Sequence, residues 1–134
     1  MDAAPKQFKK RNAILSCLRS TDTHPSAEMV HEMLQTDHPD ISLATIYRNL
    51  SRFKEQGIIQ SLGTVNGIER FDANTAPHVH FVCNHCNAVM DLHQMDAPQR
   101  LCKEAAQHIG GQVDFCQLMF FGTCQACLAK HQRA

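Results

Sequence analysis

The feature that most constrains this chain is a pair of short cysteine motifs, Cys83-Asn84-His85-Cys86 and Cys124-Gln125-Ala126-Cys127. A Cys-x-x-Cys turn brings two thiolates to one point, and two such turns supply the four sulfur ligands of a tetrahedral metal site. The 37 residues between the motifs, 87–123, exceed the ~15–20 of a self-contained zinc module. We therefore expect an ion that joins distant segments. Structural zinc is the expected metal, because four thiolates leave no open coordination position.

The cysteines admit two other interpretations. Disulfides form in an oxidising compartment, whereas the sequence starts Met1-Asp2-Ala3-Ala4-Pro5-Lys6, without an apolar export segment, which favours a cytoplasmic protein. A thioredoxin-like redox pair fits either motif alone, but two copies fit a metal better. The three remaining cysteines are expected to be small buried hydrophobic residues, and they are Cys17, Cys102 and Cys116.

Composition and charge alone do not decide the functional class of this protein. The 134 residues suffice for one ordinary domain or two small ones. No apolar stretch approaches the ~20 residues of a membrane helix. The formal net charge is zero, so overall charge does not indicate nucleic acid. Four basic residues nevertheless crowd into the first eleven positions, which suggests a first helix that contacts phosphates. A solvated basic face is the alternative.

Apolar spacing predicts three helices in the first half of the chain, followed by a hairpin. Ser26 and Ser42 are expected N-caps of the second and third helices, and Gly57 ends the third. The expected buried residues of the three helices are Phe8, Ile14, Cys17, Leu18; Ala27, Val30, Met33, Leu34; and Leu43, Ile46, Tyr47, Leu50, Phe53. Segments 58–62 and 68–71 then flank Asn66-Gly67, which suits a tight hairpin turn.

Three helices and a two-stranded ribbon predict a winged helix-turn-helix over residues 1–72, with a hinge at 73–77. Its third helix would lie in the major groove of double-stranded operator DNA. Arginine and asparagine there can read guanine and adenine edges, and other basic residues can hold phosphates. A helical bundle with a solvated face is the alternative. The candidate DNA contacts are Lys10, Arg11, Thr45, Tyr47, Arg48, Asn49 and Arg52.

Residues 78–134 are predicted to form a small α/β dimerisation domain, so the whole chain is expected to be α+β. Its predicted elements are a strand at His78–Cys83, a strand at Ala88–Leu92, a helix capped by Asp96 with Leu101, Ala105 and Ile109 on one side, and a long strand at Val113–Phe121. An exposed strand edge in this half would favour pairing with another chain.

A second metal site is indicated by His78-Val79-His80. Residues at i and i+2 of a strand point the same way, so both imidazoles can reach one ion. A His-x-His pattern alone is more often a surface feature, but Asp72, Asp91 and His24 strengthen it. Imidazole and carboxylate ligands suit Fe(II), Mn(II) or Zn(II).

Several motifs together resemble the ferric-uptake-regulator family of metal-dependent bacterial repressors, and most closely its peroxide-sensing, PerR-like branch. They are His24-Pro25-Ser26-Ala27, Ser42–Leu50, Arg70-Phe71-Asp72, His78-Val79-His80 and the two cysteine motifs. The resemblance implies a homodimer with structural Zn2+ on the four motif cysteines. It also implies a regulatory Fe2+ or Mn2+ on His24, Asp72, His78, His80 and Asp91.

The carboxylate Asp91, where iron-sensing relatives usually carry Glu, favours peroxide sensing within the family. By resemblance, hydrogen peroxide would act on the Fe(II) form by oxidising His24 or His78 and so end repression, while the Mn(II) form would respond far less. An iron- or manganese-responsive repressor without peroxide chemistry is the alternative. A small non-haem iron enzyme is the alternative of another class, although so small a second domain leaves little room for a substrate pocket.

Two departures from the family pattern bear on function. Phe8-Lys9-Lys10-Arg11 stands where relatives often have Thr-Pro-Gln-Arg, so DNA contacts from that arm are not implied by the resemblance. Phe115-Cys116-Gln117 stands where iron and zinc sensors draw a histidine from the long strand. An auxiliary metal site on that strand is therefore not expected.

Overall fold

The computed structural model describes residues 5–95 and 98–132, with the side chains of 131 and 132 left aside. The chain folds as two compact units that divide between Thr75 and Ala76. Within the described ranges, no helix has the length and apolar character that crossing a membrane requires.

Unit 1 contains three helices and a hairpin, in the order α1 Lys6–Arg19, α2 Ala27–Leu34, α3 Leu43–Glu55, β1 Gln60–Val65 and β2 Ile68–Asp72. Both predicted serine caps are present. Ser26 Oγ accepts a hydrogen bond from Met29 N, and Ser42 Oγ accepts one from Thr45 N, each at 3.2 Å. Each bond satisfies one of the free N–H groups at a helix start, which is why the helices begin there.

One apolar core joins the three helices of unit 1. Most of the predicted core residues are buried in it, among them Ile14, Val30, Ile46, Leu50 and Phe53. Three predicted core residues are exposed instead, and they are Phe8, Met33 and Tyr47. Helical spacing therefore does not by itself decide which residues of a helix are buried. The buried stripe of α1, for example, begins only at Ile14.

The hairpin turns at Asn66-Gly67 as predicted. Both residues have positive φ, 53° and 78°, which is the requirement of a type I′ turn, and Val65 pairs with Ile68 across it. The first strand starts at Gln60 and not at Ile58, because Ile58 and Ile59 pack against the helical core. Three helices followed by this ribbon form the predicted winged helix-turn-helix.

The predicted hinge at 73–77 is partly tied to unit 1. Asn74 N donates to Asp72 Oδ1 at 2.9 Å, and Gln60 Nε2 donates to Asn74 O at 2.9 Å. Ala73 packs against the helical core. The first two residues of the expected hinge therefore contact unit 1.

Unit 2 contains β3 Val79–Cys83, β4 Val89–Asp91, α4 Gln99–Ile109, β5 Leu118–Gly122 and α5 Gln125–Gln132. Its sheet has the strand order β4-β3-β5. The antiparallel β3–β4 register places His80 opposite Asp91. The parallel β3–β5 register places Cys83 opposite Gly122, two residues before Cys124. Strand register therefore brings together residues that are distant in sequence.

Three features of unit 2 differ from the sequence prediction or extend it. The long strand expected at Val113–Phe121 begins only at Leu118, because its partner β3 begins at Val79, the residue that pairs with Leu118. The expected apolar side of α4 is exposed, with Ile109 at 66%, and of the described residues none in α4 is buried. Helix α5 is not part of the sequence prediction. The predicted cap Asp96 lies outside the described residues.

Candidate metal centres and nucleic-acid interface

Four cysteines converge in unit 2. Cys83 ends β3, Cys86 follows in the turn, Cys124 comes just after β5, and Cys127 lies in the first turn of α5. Their sulfur atoms all lie within 4.8 Å of one another, and Cys86 Sγ lies 3.8 Å from Cys124 Sγ. That separation is close to the edge of a tetrahedron whose four sulfurs lie about 2.3 Å from a central zinc. It is far longer than a disulfide bond of about 2.05 Å, and all four are free thiols.

Backbone N–H groups stabilise negative charge on the Cys83 sulfur of this cluster, which favours binding of a cation. Cys124 N donates to Cys83 Sγ over 3.4 Å. This hydrogen bond, followed by those from the backbone of Cys86 and His85, lowers the pKa of Cys83 to about 5. A hydrogen bond with Cys124, followed by burial, raises the pKa of Cys127 to about 12. Metal binding to this cluster would release the protons that its thiols hold. The donor set fits zinc.

Unit 1 contributes a buried imidazole–carboxylate pair. His24 Nδ1 lies 3.5 Å from Asp72 Oδ2, and both side chains are almost fully buried. The backbone of His24 is left-handed, with φ 52°. Strand β2 holds it there: Arg70 Nε donates to His24 O at 2.5 Å, and Arg70 Nη2 donates to Thr23 O at 2.8 Å. The arginine thus fixes the loop that carries the histidine.

Unit 2 contributes a second cluster around one carboxylate. Asp91 Oδ1 lies 2.9 Å from His78 Nε2 and 3.2 Å from His80 Nε2. His78 Nδ1 lies 2.6 Å from the carbonyl oxygen of Ala76. An Nδ1–H donated to that oxygen leaves Nε2 with its lone pair, which is how protein carbonyls commonly orient metal-binding imidazoles.

One further imidazole at this cluster is absent from the sequence prediction. His93 Nε2 lies 3.6 Å from Asp91 Oδ2, and its side chain is 72% exposed. The spacing Asp91-x-His93 repeats the i, i+2 pattern of His78 and His80, and that signal could have found it. Three imidazoles therefore surround Asp91.

A basic groove lies in unit 1 between the start of α1 and the outward face of α3. Its volume is about 640 Å³, and its described lining contains four cationic side chains and no carboxylate. The lining residues are Pro5, Gln7, Phe8, Lys10, Arg11, Thr45, Arg48, Asn49 and Arg52. Six of the seven candidate DNA contacts line this one groove. The seventh, Tyr47, does not.

Local contacts explain how these side chains are presented. The Arg11 guanidinium lies 5.1 Å from the centroid of the Phe53 ring, a cation–π distance that orients it. Asn49 Nδ2 donates to Thr45 O at 2.9 Å, so one amide hydrogen of Asn49 is already used within α3. Tyr47 O–H donates to the Glu28 carboxylate. That hydrogen bond lowers the pKa of Glu28 and raises the pKa of Tyr47.

The sequence model of the Ferric uptake regulator family matches residues 3–121 of this chain. The chain belongs to the ferric uptake regulator family. The resemblance seen in the motifs is thereby confirmed, and the winged-helix unit followed by a second α+β unit is the fold expected for this family. Family members are regulators, which places the metal-binding clusters described above in a regulatory protein.

Relatives within the family include peroxide-responsive proteins. The chain is 37% identical over 124 residues to the peroxide-responsive repressor PerR of Staphylococcus saprophyticus, covering 90% of this chain and 81% of that protein. The Campylobacter jejuni peroxide stress regulator superposes with a TM-score of 0.77 at 25% identity, covering 91% of each chain. The Pseudomonas aeruginosa ferric uptake regulator with manganese superposes with a TM-score of 0.70 at 29% identity, covering 87% of each chain.

Proposed function

We propose that this protein is a metal-dependent transcriptional repressor that binds operator DNA as a homodimer and is inactivated by hydrogen peroxide. The observation that carries the proposal is that each unit holds its own cluster of imidazole and carboxylate ligands. His24 and Asp72 form one cluster, while His78, His80 and Asp91 form the other. Neither cluster alone offers the five ligands that the family resemblance implies for the regulatory ion.

Both clusters can bind one ion without strain in the chain that joins them. Asp72 and His78 are separated by the five residues 73–77, which fully extended span at most about 20 Å. Each cluster combines imidazole nitrogen and carboxylate oxygen ligands, which suit Fe2+ or Mn2+. A shared ion would restrict the link and favour one spacing of the two DNA-reading helices in a dimer. Metal binding would then raise operator affinity.

The four cysteines have a separate role in the proposal. Cys83, Cys86, Cys124 and Cys127 would hold structural Zn2+, joining the end of β3 to the start of α5. Four thiolates leave no position for a substrate or oxidant. The zinc would therefore stabilise unit 2, while the imidazole–carboxylate ligands carry the response.

The peroxide response depends on which side chains lie against the regulatory ion. Bound ferrous iron supplies the reducing chemistry toward hydrogen peroxide, and His24 and His78 are the rings proposed to be oxidised. An oxidised imidazole is a poor ligand, so each of these residues would release its unit from the other. Asp91 in the position of the usual glutamate supports peroxide sensing over iron sensing, as does the similarity to PerR of S. saprophyticus. The protein is consumed by this chemistry and so would not be an enzyme.

Operator binding is assigned to the basic groove and α3 of unit 1. Lys10, Arg11, Arg48 and Arg52, which line the groove, would contact phosphates, and Arg48 and Asn49 would also contact base edges. Dimerisation is assigned to unit 2, which exposes large apolar side chains on α4 and β5: Leu101, Ile109, Phe120 and Phe121. Exposed apolar side chains on a second unit would suit association with another copy, because a twofold dimer pairs the same surface on both copies.

A comparison of the Fe(II) and Mn(II) forms tests the proposal. Both forms should bind operator DNA in a gel shift. After a low dose of peroxide, peptide mass spectrometry should find oxygen added to peptides with His24 or His78 in the Fe(II) form alone, with loss of binding. Equal or absent modification in both forms would instead favour an iron- or manganese-responsive repressor. Operator binding that is absent or independent of metal would favour the enzyme class.

A further inference from the structure

Two cysteines outside the zinc-type cluster lie against each other in unit 2. Cys102 lies in the first turn of α4, and Cys116 lies in the irregular segment 112–117 before β5. The carbonyl oxygen of Pro98 accepts a hydrogen bond from Cys102 N at 3.1 Å and one from Cys116 Sγ at 3.8 Å. Cys102 and Cys116 thus share one backbone acceptor, although the thirteen residues 103–115 separate them in the chain.

From this pairing we infer that Cys102 and Cys116 form a second peroxide-responsive element, a dithiol that closes to an intrachain disulfide without the regulatory metal. Both residues are partly exposed, so a small oxidant can reach them, whereas Cys17 is buried alone in the core of unit 1. Neither belongs to the tetrahedral set. The segment around Cys116 is outside regular strand or helix, which lets its backbone adjust to the geometry that a disulfide requires.

The two sulfurs would have different roles. Burial, followed by interaction with the Cys102 side chain, raises the pKa of Cys116. A raised pKa disfavours the Cys116 thiolate, and the thiolate is the form of cysteine that attacks. We assign the attack on peroxide to Cys102 and the second, resolving step to Cys116.

The reaction balances with hydrogen peroxide as the oxidant. The Cys102 thiolate attacks one peroxide oxygen, the O–O bond breaks, and the departing hydroxide takes a proton to become water. This leaves Cys102 as a sulfenic acid. The Cys116 sulfur then attacks the Cys102 sulfur, the S–S bond forms, and the S–O bond breaks. The Cys116 proton leaves with that hydroxide as a second water, so the two thiols lose two electrons in total and peroxide gains them.

The disulfide would connect α4 to the segment that leads into β5 and Cys124. Oxidation would therefore restrain residues 112–117, which the reduced protein leaves without ladder hydrogen bonds. The response is reversed by a dithiol reductant, unlike the oxidation of a histidine. Disulfide formation requires neither the regulatory metal nor operator DNA. An experiment can therefore contradict it without contradicting the proposed repressor mechanism, and the reverse also holds.

Peptide mapping of the zinc-loaded full chain, freed of regulatory metal, tests the inference. Trypsin cleaves after Arg100 and Lys103, and chymotrypsin cleaves after Phe115 and Phe121, which separates Cys116 from Cys124. After peroxide, non-reducing mass spectrometry should find the Cys102 peptide linked to the Cys116 peptide, lighter by two hydrogen atoms than the free pair. Hydrogen exchange at 112–117 should slow with the same dose dependence and recover with dithiothreitol.

Serine variants provide the controls. C116S should accumulate sulfenic acid at Cys102 without a linked peptide, C102S should lose the linkage, and C17S should behave as wild type. Zinc content measured on each sample excludes damage to the four-cysteine cluster. A linkage of Cys102 to Cys124 or Cys127, a linkage between two chains, or unmodified thiols at doses that oxidise free cysteine would each overturn the inference.

Discussion

Arg70 Nε donates to the carbonyl oxygen of His24 over 2.5 Å, so a buried guanidinium on the hairpin fixes the backbone of a candidate metal ligand 46 residues earlier. Its Nη2 holds the preceding carbonyl, that of Thr23. His24 is a non-glycine residue with φ 52°, a conformation that costs roughly 1–2 kcal/mol. The two bonds from Arg70 offset that cost.

Replacing Arg70 with lysine is expected to weaken metal binding and unit 1 together. A lysine ammonium cannot reproduce the two directed bonds of a guanidinium, and hydrogen bonds to charged groups contribute about 1.5–3 kcal/mol each. We expect R70K to lower the free energy of unfolding by a few kcal/mol and Mn(II) affinity by about tenfold or more. Urea denaturation and isothermal titration measure the two effects. R52K, an exposed change, is the matched control, and Mn(II) affinity equal to wild type in R70K would contradict this role.

The hydrogen bond between Tyr47 and Glu28 is expected to make a pH-dependent contribution to the free energy of unfolding. The bond holds the pKa of Glu28 below its ordinary value, so its stabilisation is present above the ordinary carboxyl pKa and is lost as pH falls through the lowered one. We expect Y47F to be slightly less stable than wild type at neutral pH and equal to it once Glu28 is protonated in both proteins. Thermal unfolding between neutral pH and pH ~3 measures this difference.

The same variant also tests the candidate DNA role of Tyr47. Its side chain is 46% exposed and is engaged by Glu28 outside the groove lining. Operator affinity should therefore be close to wild type in Y47F, and a large loss of affinity would instead support the predicted DNA contact of Tyr47.

The cations of the basic groove should determine how operator binding depends on salt. Each phosphate contact contributes about −0.9 to the slope of log affinity against log salt concentration. We expect K10Q to reduce the steepness of that slope by about one, because Lys10 lines the groove beside Arg11, Arg48 and Arg52. Fluorescence anisotropy across a salt series, at saturating Mn(II), gives the slope. K103Q on α4 of unit 2 removes the same charge far from α3 in sequence, and an equal change in slope for K103Q would argue against the groove.

How far the sequence predicted this structure depends on the range of the interaction concerned. Ser26 and Ser42 cap helices through bonds to residues three positions away, and Asn66-Gly67 forms its turn within the turn itself, so local signals sufficed. Periodicity could not show that Met33 and Tyr47 lack a covering neighbour. The start of β5 at Leu118 depends on where β3 begins, which no local pattern contains.

For the candidate sites, too, local features were predictable from the sequence and long-range contacts were not. The spacing of Cys83, Cys86, Cys124 and Cys127 predicted four ligands, and the sheet register brings their sulfur atoms within 4.8 Å of one another. Arg70 belongs to one of the motifs that carry the resemblance, but its contacts with His24 and Thr23 were not predictable, because its partners are backbone carbonyls distant in sequence. The same holds for Cys102 and Cys116, which meet only after α4 and the segment 112–117 are in place.

Variants of His80 and His93 test how much each imidazole contributes to Mn(II) binding by the cluster around Asp91. His80 is nearly buried and lies 3.2 Å from Asp91 Oδ1, while His93 is largely exposed and lies 3.6 Å from Oδ2. We expect H80A to abolish tight Mn(II) binding and H93A to reduce it by about tenfold or less, the low end of the range for groups that support a ligand. Isothermal titration of both variants, with exposed H108A as control, checks the order. A larger loss in H93A than in H80A would assign His93 as a primary ligand.

Removing one motif cysteine should disrupt unit 2 while unit 1 stays folded. Cys86 is the exposed member of the cluster, so C86S deletes a proposed ligand without opening a buried cavity, and C17S, a change at a buried cysteine outside the cluster, is the control. Structural zinc sites stabilise folding directly. C86S should therefore copurify with much less zinc and should lose the dimer, as measured by elemental analysis and size-exclusion chromatography with light scattering. Hydrogen exchange should rise in 79–91 and 118–127 and stay unchanged in α1–α3, since the helical core of unit 1 contains none of these cysteines. Full zinc content and an intact dimer in C86S would contradict a four-thiolate structural site.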